Sequence, residues 1–171
     1  MTTVPTIPKE WRVTFDIKPT DLNQITSGEW KLQVRDVFSM GAPGAGVRLI
    51  GIFYRLTTNK GLDIQGLVSG NQVFGGKIKE LEVNVWTSVE ISQELVDGKY
   101  IYEVKLDGQT YLSAENNETK EFENVVVKAA EKTYGVLPGV LRNLFIEGKG
   151  RIIWSFFPLQ NIITIRCQTN S

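Results

Sequence analysis

The sequence predicts an all-β protein, an antiparallel β-sandwich, and three observations carry that expectation. Apolar and polar residues alternate in run after run, as in Trp11-Arg12-Val13-Thr14-Phe15-Asp16-Ile17 and Tyr100-Ile101-Tyr102-Glu103-Val104-Lys105-Leu106. This is the period of a pleated strand with one dry face. The pairs Asp97-Gly98 and Asp107-Gly108 separate such runs, and a tight type I′ hairpin needs the positive φ that these residues tolerate. Turn-forming clusters recur about every 8–12 residues along roughly a dozen strands. Sustained helical periodicity is absent; Val126 to Lys132 is the best short candidate and reads equally as strand.

The segment Val83 to Ser113 organises the rest. Val85, Thr87, Val89 and Ile91 share one side of a strand, and Trp86, Ser88 and Glu90 share the other. In the following run Tyr100, Tyr102, Val104 and Leu106 oppose Ile101, Glu103 and Lys105, so a three-strand antiparallel meander with one wet and one dry face is expected. Earlier in the chain, Trp11 to Ile17 forms a first strand that stops at Lys18-Pro19. The Thr/Pro-biased residues 1–8 ahead of it are expected to be a linker or tail, which leaves 9–171 as a single sandwich domain.

A second run, Glu29 to Val37, aligns Trp30, Leu32, Val34 and Asp36. Met40 to Gly46 is a Gly/Ala/Pro loop whose small residues would also admit a ligand or a neighbouring backbone. Val47 to Leu56 is an apolar strand interrupted by Arg48, Tyr54 and Arg55. Further strands are expected over Leu62 to Val68, Phe122 to Ala129 and Val140 to Glu147. The apolar tail Arg151 to Arg166 is too broken to provide the ~20 residues of a bilayer span. It is expected to form two closing strands around a Pro158-Leu159-Gln160-Asn161 turn, with a partner-binding apolar patch as the alternative.

Composition excludes several functions. Lys plus Arg and Asp plus Glu each total 19, so the formal net charge is zero, and no basic tract marks a nucleic-acid binder. Histidine is absent, which removes His-based triads, His-ligated zinc and imidazole proton shuttles. Cys167 is the only cysteine; it reads as a bystander thiol or as one half of an interchain disulfide, and it has no histidine to activate it. A chain of 171 residues can bury roughly 70% of its unfolded surface and needs neither disulfide nor metal to fold. Residues 1–8 carry no charged leader followed by an apolar core. The chain is therefore expected to be cytosolic or a domain of a larger secreted protein, the Thr/Pro bias favouring the second.

Four stretches together resemble a known superfamily: Trp86-Thr87-Ser88-Val89-Glu90-Ile91, then Tyr100 to Leu106 with Asp107-Gly108, Phe122-Glu123-Asn124-Val125-Val126-Val127, and Pro138-Gly139-Val140-Leu141-Arg142-Asn143-Leu144. In order and spacing they resemble the laminin-G-like and pentraxin-like branch of the concanavalin-A-like lectin/glucanase superfamily. The resemblance implies a jelly roll, usually extracellular, that binds glycans or protein partners, often with calcium at one rim. The segment Lys149 to Ser171 departs from the pattern.

Candidate site residues follow from chemistry. Glu115, Asn116, Asn117 and Glu118 supply several oxygens in a short stretch, as calcium requires, although their spacing matches no EF-hand and a solvated hairpin connection fits as well. Asn117-Glu118-Thr119 is an N-glycosylation sequon in a polar loop. Sugar sites pair aromatic platforms with polar side chains; Tyr134, between Lys132-Thr133 and Gly135, is the aromatic expected to be exposed. Arg48 and Arg55 interrupt an apolar strand and could meet an anionic glycan or cap a sheet edge. The carboxylate motif of the superfamily's hydrolases is absent, so no enzymatic activity is expected.

The expectation is thus a non-catalytic extracellular recognition domain that binds carbohydrate through rim loops or a sheet face. A protein–protein adhesion or structural module, self-associating in one form, is the alternative, and a divergent glycoside hydrolase comes third. Calcium is the one cofactor the resemblance allows; neither nucleic acid nor membrane insertion is expected.

Overall fold

The computed structural model describes residues 2–20, 34–42, 47–55, 60–129, 137, 139–148, 151–156 and 162–165, with backbone alone for 76–78, 151–156 and 162–165. The described elements are β1 (Thr2–Ile7), β2 (Trp11–Pro19), β3 (Val34–Gly41), β4 (Arg48–Arg55), β5 (Gly61–Val68), β6 (Asn71–Lys79) and β7 (Thr87–Val96). They continue with β8 (Lys99–Leu106), β9 (Gln109–Glu115), β10 (Phe122–Ala129), β11 (Gly139–Gly148), β12 (Arg151–Phe156) and β13 (Ile162–Ile165). All pairings are antiparallel. One sheet has the order β1-β10-β3-β4-β5-β6, the other β12-β11-β2-β7-β8-β9 with β13 also on β11, and the two pack as a jelly-roll sandwich.

The expected meander is β7–β8–β9. Both Asp-Gly pairs turn as type I′ geometry demands, with φ of 49° and 79° at Asp97-Gly98 and 51° and 75° at Asp107-Gly108. The dry face is the anticipated one: Thr87, Val89, Ile91, Tyr102, Val104 and Leu106 are buried. Val85 lies before β7 and is exposed.

One expectation needs correction. Residues 2–7, read as linker or tail, form the edge strand β1, paired with β10 from Thr2 opposite Val127 to Ile7 opposite Phe122. Val4 and Ile7 reach the core, because an extended Thr/Val/Pro/Ile segment is as good an edge strand as it is a linker. The two closing strands expected of the tail are β12 and β13, while the Pro158-Leu159-Gln160-Asn161 turn lies outside the described residues. β12 pairs with Leu144 to Gly148 and β13 with Gly139 to Arg142, both antiparallel to β11. They run in one direction along the same edge, as two halves of one interrupted strand.

The inner faces interlock through aromatic rings. Phe15 and Phe38 meet across the sheets with centroids 6.1 Å apart. Tyr102 contacts Trp11 at 6.3 Å and Phe74 at 6.2 Å, both edge-on. Gly66 of β5 sits over the Tyr102 hydroxyl, where any Cβ would collide with it. Burial pushes the Tyr102 phenol far above its ordinary pKa.

Candidate functional site

Arg48 and Arg55 stand seven positions apart on β4, so in a regular strand they would project from opposite faces. A bulge changes that. The register against β3 steps from Met40 opposite Ile50 to Gly41 opposite Arg48, which leaves Leu49 as an extra residue. Leu49 joins Ile50, Ile52 and Tyr54 in the core, and Arg48 returns to the outward face. On that face Gly51 lies opposite Gln65, Phe53 opposite Asp63 and Arg55 opposite Gly61. The structure therefore brings both arginines to one side of the six-stranded sheet.

They are linked there by a polar chain. Arg55 Nε and Nη2 donate to Asp63 Oδ2 at 2.9 and 2.7 Å, and Gln65 Nε2 donates to the same oxygen at 3.1 Å. Gln65 Oε1 in turn accepts from Arg48 Nη1 at 3.2 Å. One end of the Gln65 amide faces a cation and the other a carboxylate, so its orientation is fixed by chemistry. Asp63 is 1% exposed although it faces away from the core, and its Oδ1 has no hydrogen-bond partner in the structure.

Arg48 is held differently. Its guanidinium lies 4.9 Å from the centroid of Phe53, which is itself only 7% exposed, and its backbone N–H donates to Gln72 Oε1 at 3.2 Å. Gly51 makes this possible, since a Cβ there would stand 2.5 Å from Arg48 Cδ and 2.8 Å from Phe53 Cε2. None of the ion pairs found among the described residues involves Arg48. In register beside Gly51 lie Ser39 and then Lys128, which extends the polar strip across β3 and β10.

The oxygen-rich segment 115–118 is arranged around protein partners. Glu115 pairs with Lys99 at 2.7 Å. Asn116 is buried: its Oδ1 accepts from the backbone N–H groups of Ser69 and Glu118, and its Nδ2 donates to Gln93 Oε1 at 2.6 Å and to the Leu67 carbonyl at 3.4 Å. Gln93 Nε2 donates onward to the Lys9 carbonyl at 2.6 Å, so the asparagine ties the β5–β6 turn to β7 and to the entry of β2. Asn117 is exposed, as a sequon acceptor must be, and its backbone N–H donates to Ser69 Oγ at 3.0 Å. Among the described residues no three His, Cys, Asp or Glu side chains gather as a metal cluster would require. Beside this segment a cleft of about 10 Å³, room for one water molecule, is lined by Trp11, Gln93, Asn116, Lys120 and Phe122 among others.

Tyr134 and Cys167 lie outside the described residues. Asp63, Gln65 and Phe53 were not singled out by sequence reasoning. The signal was present in the alternation of Leu62-Asp63-Ile64-Gln65, which puts an acid and an amide on the face opposite the apolar residues, next to the strand that carries the arginines.

No family model and no curated protein sequence matches the chain. Solved structures do. A native heptameric SAP-like pentraxin from Limulus polyphemus superposes with a TM-score of 0.55 at 19% identity, over 85% of this chain and 66% of the pentraxin, so the chain spans just under two thirds of that protein's length. The alginate lyase Aly36B, in complex with alginate tetrasaccharide, gives 0.48 at 13% identity over 85% and 69%. A galectin from Caenorhabditis elegans gives 0.38 at 12% over 77% and 90%. With two antiparallel sheets in the observed order and the pentraxin superposition, the chain shares the jelly-roll β-sandwich fold of that pentraxin.

Proposed function

We propose that the chain is a non-catalytic carbohydrate-recognition domain, and that its glycan lies on the outward face of the six-stranded sheet along Arg48, Gln65 and Arg55. The observation that carries this reading is the Leu49 bulge, which places both arginines on one face and lets Gln65 and Asp63 join them into a fixed row of planar polar groups. Sugar hydroxyls are recognised by such preset donors and acceptors, whose ordering cost is met in the fold before the ligand arrives. The fold hosts both binding and catalytic proteins, so the site has to decide between them. Asp63 Oδ2 is occupied by Arg55 and Gln65, which suits a positioning role better than that of a nucleophile or proton donor. An extracellular location and assembly through further copies fit this reading.

A glycan-array screen of the intact protein, repeated with chelator, tests it. Retention on a subset of glycans, insensitive to chelator, is expected, because Glu115 and Asn116 are already engaged by Lys99, Gln93 and backbone amides. A silent array would remove the lectin reading, and fragments released from the bound glycan would replace it with an enzyme.

A further inference from the structure

We infer that the glycan this face accepts is acidic, and that Arg48 receives its carboxylate or sulfate group. The inference rests on the carbohydrate reading above and concerns the class of sugar. The two arginines at the ends of the polar row are electrostatically unlike. Arg55 is matched by Asp63, a nearly buried carboxylate that takes two of its donors onto one oxygen. Among the described residues, the Arg48 guanidinium is met by the neutral amide of Gln65 and by the face of Phe53. One of its five N–H donors is used by Gln65, and no carboxylate of the described residues forms an ion pair with it.

A guanidinium without a counter-charge is ordinary when it swings freely in water. This one is fixed from two sides: Phe53 lies against it and Gly51 leaves the space its stem occupies. A planar cation held in place with unused donors is preorganised for a planar or tetrahedral oxyanion, which an arginine fork binds bidentately. Asp63 opposes the reading that the whole row is a loose cationic patch, because it neutralises Arg55 and leaves Arg48 as the end of the row that no carboxylate of the described residues pairs. A neutral sugar would leave those Arg48 donors to water, whereas an acidic residue uses them.

The test is calorimetric titration of the intact protein at low ionic strength with three oligosaccharides of equal length: a uronate oligomer, a sulfated oligomer, and the carboxyl-reduced neutral counterpart of the uronate. At least one acidic oligomer is expected to bind about tenfold or more tighter than the neutral one, with an affinity that falls as salt is added. Arg48→Gln should lose that advantage at unchanged thermal midpoint, and Arg48→Lys, which keeps the charge without the fork, should not restore it. Gly51→Ala, which displaces the Arg48 stem and leaves every charge in place, should lose part of it. Equal binding of the neutral oligomer overturns the acidic assignment while the carbohydrate reading stands, and so does acidic binding that survives both Arg48→Gln and Gly51→Ala. Binding of none of the three removes the carbohydrate reading itself.

Discussion

The outward faces of the two sheets are built from the same residue types and solve opposite problems. On the seven-stranded sheet the charges close on one another. Arg12 meets Glu94 and Glu90, Lys105 meets Glu90 at 3.3 Å and Glu103 at 2.9 Å, and Thr110 Oγ1 donates to Glu103 at 2.7 Å. Toward the other end of β2, Arg142 donates to Asp16 at 2.9 Å and stacks 3.9 Å from the centroid of Trp86, with Lys18 at 4.9 Å from that ring. The aromatic ring and its cations satisfy each other. On the six-stranded sheet the row ends in Arg48, whose charge is left unmatched among the described residues. A lattice of exposed, compensated pairs keeps a sheet soluble and unreactive toward partners; a fixed, uncompensated cation is what a charged ligand can recognise.

The contrast is sharpest at Asp63, and its loss should have the largest effect. Asp63→Ala removes an acceptor shared by Arg55 and Gln65 on a side chain that is 2% exposed, against 43% for Arg55. A cost of about 1–3 kcal/mol is expected from the stranded donors, read as a fall of several degrees in the thermal midpoint. The change also frees Gln65 to rotate, so the acidic-oligomer affinity should drop with it. If stability falls and affinity does not, Asp63 is a folding residue and the polar row is not a functional unit.

Glu94→Ala is the counterpart on the other sheet and should do far less. Its pair with Arg12 is close, yet the two side chains are 45% and 41% exposed, and surface pairs of this kind contribute about 0.2–1 kcal/mol. No glycan affinity should change. A larger loss than that of Asp63→Ala would mean that the seven-stranded face is the one under strain, which reverses the comparison.

That difference between the faces also explains what could be read in the sequence. The meander was legible because alternation and Asp-Gly turns are local: Tyr102, Val104 and Leu106 face inward whichever strand pairs with them. The β1 strand was not, since Val4 and Ile7 become core residues only through pairing with β10, more than a hundred positions away. Arg48 and Arg55 were noticed as charges in an apolar run, but their common face depends on one bulge. Parity argues against it, because nothing in Val47-Arg48-Leu49-Ile50 announces which residue will be extra. The acidic segment 115–118 shows the converse. Its composition resembles an ion site, yet Asn116 turns inward to a glutamine twenty-three positions earlier, a partner that only the tertiary fold supplies.

The smallest effect separates the faces by pH. Hydrogen bonds from Lys105 and Thr110 outweigh the effect of burial on Glu103 and hold its carboxyl below the usual range, while Glu103 and Glu90 hold Lys105 above its own. Glu103 therefore contributes stability that is complete above the unfolded carboxylate pKa and is lost as pH falls through its lowered folded value. Lys105 contributes stability that is complete below the unfolded lysine pKa and is lost as pH rises through its raised one. The expected thermal midpoint is level across neutral pH and falls on both flanks. Lys105→Met should remove this contribution from the alkaline flank entirely and from the acid flank in part, because Thr110 still donates to Glu103. Arg48→Gln should leave both flanks where they are, since no titrating carboxylate among the described residues pairs with that guanidinium. A pH profile that shifts with Arg48→Gln would show that an acid does neutralise it, and the unmatched charge on which the two faces differ would be gone.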